Sequence, residues 1–299
     1  MLNLKNKDVI VLGLGKSGVA SCHFLASLEA NVIAFDEKDK NSLKENVKKL
    51  PKGVIVKYGK ITTLPKADLI VVSPGIPSDI SYIKKAKEQG ILVISEIELA
   101  FQMIENQPII AITGTNGKTT TTTLIGKILE SGGLKPVVCG NIEIPFTSCI
   151  TNIKKDNIIV LEISSFQLET IVEFKPNISI FLNFAPDHLD RYLKIEDYMK
   201  AKARIFENQT KDDIMIINAD DYVVLNLSRR SRAKPYLFST KQTLQEGLFI
   251  RSDWIVARFF KEEERILPLS EIKLIGCHNL ENILASILVA IILRLDISS

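Results

Sequence analysis

The 299-residue chain carries only four cysteines, Cys22, Cys139, Cys149 and Cys277, and no two of them form a C-x-x-C pair. That scatter excludes a zinc ribbon or a disulfide framework and predicts reduced thiols in a cytoplasmic protein. An excess of one charge is also lacking, because 38 Lys and Arg against 35 Asp and Glu leave a net charge of +3. Bulk electrostatics of that size do not hold nucleic acid, so any anion must be bound by placed groups. Long hydrophobic runs are missing as well. The longest, Ile283 to Leu293 with one interruption at Ser286, is about half of the roughly 20 residues that cross a bilayer, so a buried helix and no membrane partner are expected. The apolar run before Gly13 is too short for a signal-peptide core, and export is not expected. Neither an internal repeat nor a low-complexity segment occurs.

What is present is an ordinary soluble balance, 46% hydrophobic and 24% charged. At roughly 150 residues per domain the length predicts two domains. Val9 to Leu12 reads as a buried strand ending in Gly13-Leu-Gly15-Lys-Ser-Gly18, followed by a helical pattern to about Glu29 and a second strand, Asn31 to Phe35, that stops at Asp36. Strand, glycine turn, helix, strand and acid form the opening of a Rossmann-like unit. With Leu69 to Val72 and Ile91 to Ile94 as further strands, residues 1–96 are expected to form a parallel α/β domain. A helix over Ile97 to Glu105 leads to a second α/β domain over 97–299, with strands at Ile109 to Ile112, Ile158 to Ile163, Ile178 to Phe184 and Ile214 to Ile217. The short alternating segments from Tyr236 to Ile275 predict a small antiparallel appendage.

The strongest local signal is Gly114-Thr-Asn-Gly117-Lys118-Thr119-Thr120, set between a strand and a helix. Glycines let the backbone wrap a phosphate, successive N–H groups point at the anion, Lys118 supplies charge and the Thr119 hydroxyl can sit on Mg²⁺. The pattern departs from the usual phosphate loop in carrying isoleucine, not glycine, at position 112. The Gly13 to Gly18 turn with Asp36 suits a nicotinamide cofactor, another nucleotide or a plain structural turn, and a second nucleotide loop in the same chain suggests two different nucleotides. Glu162 follows a strand, where it is either a ligand-binding carboxylate or a first-turn helix acid. His188 lies in a charged cluster after another strand and is read as functional, whereas His23, on the first helix, is read as structural. Lys202 has nothing in the composition to set it above Lys200, and Gly276 with Asn279 is readable as a simple helix cap.

Taken together, Gly114-Thr-Asn-Gly-Lys-Thr-Thr120, Glu162-Ile-Ser-Ser-Phe-Gln-Leu168, Asn183-Phe-x-x-Asp-His-Leu-Asp-Arg-Tyr192 and Gly276-x-His-Asn-x-x-Asn282 resemble the Mur ligases of peptidoglycan synthesis, in order and along the whole chain. The Ser-Ser-Phe-Gln-Leu-Glu169 stretch and the Rossmann-like first domain resemble the branch that joins D-glutamate to UDP-N-acetylmuramoyl-L-alanine. The resemblance implies that the first domain binds the uridine nucleotide of the precursor through Gly15, Lys16, Ser17, Asp36, Glu37, Ser73, Pro74 and Gly75, with Asn141 and Ser164 also at precursor-contacting positions. The central domain would bind ATP through Gly114, Thr115, Asn116, Gly117, Lys118, Thr119 and Thr120, with Asn279 near the adenine. Two Mg²⁺ ions are implied, one on Thr119 and Glu162, the other served by His188 and by Lys202 if CO₂ converts that lysine to a carbamate. The catalytic residues are then Lys118, His188 and Lys202.

Members of the family continue into a third domain with a His-Arg pair and an Asp-Ser-Lys-x-x-Asn stretch, and neither occurs here. The resemblance therefore implies a monomer without the C-terminal ligase domain, impaired unless that domain is supplied separately, and less soluble if the Ile283 to Leu293 helix is left exposed. Two other readings compete. One is a non-catalytic module that binds a uridine nucleotide and ATP. The other is a nicotinamide-dependent dehydrogenase, which has no use for the second loop.

Overall fold

The computed structural model describes residues 2–189, 191–273 and 276–296, without the side chains of residues 277 and 278; Asp190 of the quoted cluster and the His278 side chain thus lie outside the described residues. The chain forms two compact units. The first comprises residues 1–106 together with two later returns, 143–153 and 164–174, and the second comprises 107–142, 154–163 and 175–299. Residues 97–106, read from the sequence with the second domain, thus pack with the first.

In the first unit, strands β1 (Asp8–Leu12), β2 (Asn31–Asp36), β3 (Ile55–Tyr58), β4 (Leu69–Val72) and β5 (Leu92–Ser95) build a parallel sheet of order β3-β2-β1-β4-β5. Helices α1 (Lys16–Ser27), α2 (Lys44–Lys48), α3 (Ser81–Glu88) and α4 (Glu96–Phe101) connect and follow these strands. Residues 9–12 and 69–72 are buried throughout, as central parallel strands with both faces covered require. The turn after β1 is tight. A Cβ on Gly18 would lie 1.8 Å from the Gly13 carbonyl oxygen, so only glycine lets α1 start this close to the strand.

The second unit is built on a nine-stranded sheet of order β14-β13-β12-β11-β10-β9-β6-β8-β7. Its strands are β6 (Ile109–Thr113), β7 (Lys135–Gly140), β8 (Asn157–Glu162), β9 (Ile178–Phe181), β10 (Ile214–Asn218), β11 (Lys234–Ser239), β12 (Gly247–Arg251), β13 (Trp254–Phe259) and β14 (Glu262–Pro268). Helices α5 (Lys118–Ser131), α6 (Phe146–Cys149), α7 (Ser165–Leu168), α8 (Ile195–Ala203), α9 (Tyr222–Ser228) and α10 (Cys277–Ile292) complete the chain, with α6 and α7 lying on the returns to the first unit.

Several expectations need correction. The helix expected over 97–105 ends at Phe101, and the strand expected to reach Phe184 ends at Phe181, where Leu182 and Asn183 turn to meet the glycine loop. The strands β3 and β7 were not foreseen. The antiparallel segment is present as the edge of the large sheet: β11 runs parallel to β10, and β12 to β14 extend the same sheet. Two-residue hairpins at Ser252-Asp253 and Phe260-Lys261, all four residues at positive φ, reverse the chain, and their lack of glycine hides them from a sequence reading. The outer strand β14 exposes Glu262, Glu263, Glu264 and Arg265, a charged edge that discourages pairing with another chain. The exposed helix feared at Ile283–Leu293 is covered, since Ile283, Leu284, Ile287, Leu288 and Val289 of α10 join the core with Ile125 and Leu129 of α5. Among the described residues no helix is long and apolar enough to cross a membrane.

Helix α4 carries two buried carboxylates. Glu96 Oε1 accepts the Thr147 N–H at 2.6 Å and its hydroxyl at 2.8 Å, while Oε2 has no hydrogen-bond partner. Burial pushes this carboxyl from its ordinary 4.5 up to about 7. Because the folded state holds the proton more tightly than the unfolded one, the stabilisation is complete below the ordinary value and is lost as pH rises through about 7. Glu96→Gln should remove that dependence. Urea unfolding of the wild type is expected to lose roughly 3 kcal/mol more than the variant between acidic and mildly alkaline pH; parallel pH profiles would refute it.

Candidate functional site

The site in the second unit forms where three adjacent parallel strands end. β6 lies between β9 and β8, so the Gly114–Gly117 loop, Asn183 and Glu162 leave neighbouring strands at their carboxyl ends, the edge at which open α/β sheets bind ligands. Asn183 fixes the loop. Its Oδ1 accepts the Asn116 N–H at 2.9 Å, its Nδ2 donates to the Asn116 carbonyl at 3.2 Å, and its own carbonyl accepts the Thr115 N–H at 3.0 Å. Gly117 caps α5 at φ +82°, and a Cβ there would lie 2.1 Å from Asn282 Oδ1. Asn282, on α10, also accepts the Thr121 hydroxyl at 3.1 Å. The N-terminus of the 14-residue α5 therefore presents unpaired backbone N–H groups under a loop that tolerates no side chain at position 117.

Lys118 Nζ donates to the Gly114 and Thr115 carbonyls, each at 3.0 Å. Burial lowers its pKa below the ordinary lysine range, opposed by the negative charges of Glu162 and Asp187. Thr119 donates its hydroxyl to Glu162 Oε2 at 2.8 Å, and Asn141 Nδ2 reaches Glu162 Oε1 at 3.5 Å. Glu162 is the last residue of β8, not a first-turn helix acid. Thr120 is half-buried in the first turn of α5.

Lys202 is the residue that composition alone left level with Lys200 and that only the resemblance raised. It is 2% exposed, its Nζ donates to the Gly114 carbonyl at 2.7 Å, and the Tyr198 ring lies 4.8 Å from it. Among the described residues no carboxylate forms an ion pair with it. Burial, and secondly the positive charge of Lys118, lower its pKa to about 7, while Asp187 opposes the shift. Lys200, two residues earlier, is exposed. Tyr198 was missed altogether, yet it organises this corner. Its hydroxyl is 3.4 Å from Thr115 Oγ1, and its ring stands edge-on to His188 with centroids 5.8 Å apart. The signal available was the i, i+4 spacing of Tyr198 and Lys202 on one helix face. His188 itself is exposed, at φ +54°, on the loop after β9. Asn279 sits in the first turn of α10, its N–H on the Gly276 carbonyl and its Oδ1 3.5 Å from Asn282 Nδ2. No three His, Cys, Asp or Glu side chains cluster among the described residues, and the closest pair of hard oxygen donors at the loop is Thr119 Oγ1 with Glu162 Oε2.

In the first unit the remaining candidates gather at the carboxyl ends of β1, β2 and β4. Gly15 caps α1, with open space where a side chain would stand, and Lys16 and Ser17 begin the helix. Ser73 donates its hydroxyl to the Gly13 carbonyl at 2.8 Å, Pro74 follows, and Gly75 is exposed. Asp36 is buried with both oxygens engaged, Oδ2 by the Leu14 N–H at 2.7 Å and Oδ1 by the Lys38 N–H at 3.0 Å. Its carboxylate shapes the turn, whereas its neighbour Glu37 is exposed. Ser164 also belongs to this unit and caps α7 in a reciprocal pair with Gln167. His23 Nε2 donates to the Lys49 carbonyl at 2.5 Å.

Residues 112–290 match the Mur ligase middle domain, and residues 7–95 match the Mur ligase MurD-like N-terminal domain. The UDP-N-acetylmuramoylalanine–D-glutamate ligase of Thermoanaerobacter sp. (strain X514) is 44% identical over 292 residues, covering 97% of this chain and 64% of that protein. The protein of the same name from Koribacter versatilis (strain Ellin345) is 45% identical over 293 residues, with the same coverage of 97% and 64%. The chain thus spans about 64% of the length of these curated relatives. Among solved structures, the UDP-N-acetylmuramate:L-alanyl-γ-D-glutamyl-meso-diaminopimelate ligase from Neisseria meningitides superposes with a TM-score of 0.62 at 18% identity, covering 97% of this chain and 95% of that one. The UDP-N-acetylmuramate-alanine ligase from Thermotoga maritima gives 0.55 at 21% identity, covering 98% and 66%. At those identities the shared feature is the fold.

Proposed function

The chain belongs to the Mur ligase family, and on that footing we propose that it takes part in ATP-dependent joining of D-glutamate to UDP-N-acetylmuramoyl-L-alanine in the cytoplasm. The observation that supports this most directly is the convergence of Lys118, the Thr119–Glu162 pair and buried Lys202 around one glycine loop. In the proposed reaction a carboxylate oxygen of the precursor's L-alanine attacks the γ-phosphorus of ATP. The bond to the β,γ-bridging oxygen breaks, leaving ADP and an acyl phosphate. The amine of D-glutamate then adds to the acyl carbon, loses a proton, and expels inorganic phosphate as the amide forms.

The chain's own groups fit these steps. The α5 N-terminus and loop N–H groups hold the phosphates, and Lys118 is placed to move from its loop carbonyls onto charge developing on the transferred group. Thr119 Oγ1 and Glu162 Oε2, 2.8 Å apart, are hard oxygen donors of the kind Mg²⁺ takes, and these two residues would hold it. When bound, that ion supplies charge neutralisation between the β and γ phosphates. A second cation would rest on His188 and Lys202. As an amine Lys202 does not suit a cation, but CO₂ would turn it into a carbamate with oxygen donors. Asn279 is assigned to the adenine side. Gly15, Lys16, Ser17, Glu37, Ser73, Pro74 and Gly75 are assigned to the uridine nucleotide, with Asp36 acting through the turn it holds, and Asn141 and Ser164 to the acyl end.

Hydroxylamine trapping tests this reading. With Mg-ATP and the precursor, an acyl phosphate yields a hydroxamate and ADP without any D-glutamate. Hydroxamate formation that requires both substrates is expected. Binding of both nucleotides by calorimetry with no hydroxamate would reduce the protein to a binding module.

A further inference from the structure

The second buried carboxylate of α4, Glu98, has no part in the chemistry above, yet it is fully buried. Its Oε2 accepts the N–H groups of Val172 at 2.8 Å and Phe174 at 2.9 Å. Its Oε1 accepts the N–H of Glu173 at 2.9 Å and the Gln102 side-chain amide at 2.5 Å. No cation pairs with it among the described residues, so its carboxyl oxygens are met by N–H donors alone. Such burial is unfavourable unless those donors are held in place. A carboxylate can do this because it is acceptor-only with about four lone-pair sites, whereas an amide offers one oxygen and turns donors toward donors.

What the clamp fixes is the return 164–174, which leaves β8 immediately after Glu162 and Ile163. That return has no ladder partner. Its regular element is the four-residue α7, begun by the Ser164–Gln167 capping pair, and it is tied further by the Ser95 N–H on the Thr170 carbonyl at 3.3 Å and by the Phe174 ring packed edge-on against Phe101 at 5.4 Å. Leu168, Ile171 and Phe174 are buried, so the turn between clamp and cap is stiff. Ser164 is therefore held from both ends of the return, by Ile163, whose N–H bonds the Ile112 carbonyl at 2.9 Å, and by the clamp at residues 172–174.

We propose that Glu98 is a positioning residue for precursor binding, holding 172–174 so that Ser164 keeps its place beside the acyl end. This rests on the assignment of Ser164 to the precursor made above. The experiment compares wild type and Glu98→Gln by calorimetry with UDP-N-acetylmuramoyl-L-alanine and, separately, with Mg-ADP, alongside amide exchange over 164–174. Expected is a tenfold or greater loss of precursor affinity in the variant, Mg-ADP affinity within twofold, and faster exchange at 172–174 and 165–168 together. A general loss of structure would weaken both ligands alike and would overturn the proposal, as would unchanged precursor affinity. Should Glu98→Gln not fold, Gln102→Ala removes one donor and keeps the three backbone bonds; the same split at about twofold to fivefold is expected, and none overturns the proposal. If the wild type binds no precursor, the proposed function fails on its own account. The positioning claim is then decided by exchange, and falls if the change stays confined to 172–174.

Discussion

Lys118→Ala should slow hydroxamate formation about a thousandfold, a loss of roughly 4 kcal/mol of transition-state stabilisation, while leaving the protein as stable as before. The two halves of this expectation come from one geometry. Among the described residues Lys118 forms no ion pair with a carboxylate, and it donates to two carbonyls of its own loop, at 3.0 Å each. A half-buried cation so placed adds little to folding, because burial works against its charge. Its use lies in phosphoryl transfer, where charge spreads over the transferred oxygens and positioned cations provide much of the acceleration. Trapped hydroxamate and thermal unfolding, measured on the same preparation, read the two halves. A variant that loses stability in step with activity, or keeps its rate, contradicts the role assigned to this lysine.

Lys202→Ala and Lys202→Arg should each cost about a hundredfold in the same assay, the size seen when groups that support a bound metal are removed. Arginine is the sharper probe, because it keeps the positive charge and cannot form a carbamate. The amine of Lys202 is buried at 2% exposure, beside a tyrosine ring and a second lysine, with its pKa lowered to about 7. It is therefore substantially neutral near neutral pH, the state in which nitrogen attacks CO₂ to give a carbamate and release a proton. Assays in CO₂-free buffer should lose most of the activity and recover it on adding bicarbonate. Activity indifferent to bicarbonate, or retained in Lys202→Arg, would remove the carbamate from the proposal. Lys202→Met should leave stability unchanged or raised, since it removes a charge from a buried place.

The strand ends and the glycine loop between β6 and α5 were legible because their signals are local. A buried apolar run stopping at glycine, followed by Lys-Thr and a helical pattern, needs only neighbouring residues to be read. The two-residue hairpins at Ser252-Asp253 and Phe260-Lys261 were not legible, since positive φ at four non-glycine residues leaves no composition signal. The strands β12 to β14, expected as a small antiparallel appendage, form the edge of the main sheet. Asp36 was rightly placed at the end of β2, but the sequence could not show that its oxygens are engaged by the Leu14 and Lys38 N–H groups.

By itself the sequence determined the parallel α/β character, the glycine turn after β1, the glycine loop after β6 and the carboxylate at the end of β8. Each of these follows from periodicity and turn chemistry within some ten or fifteen residues. Only the tertiary structure decided that Lys202 and not Lys200 is the buried amine, that Tyr198 stands between it and His188, and that two later returns belong to the first unit, one held by Glu96 and the other by Glu98. Those facts depend on burial and on hydrogen bonds between residues as far apart as Glu98 and Phe174 or Gly114 and Lys202. Desolvation and long-range pairing act through space, so neighbouring letters of the chain carry no record of them.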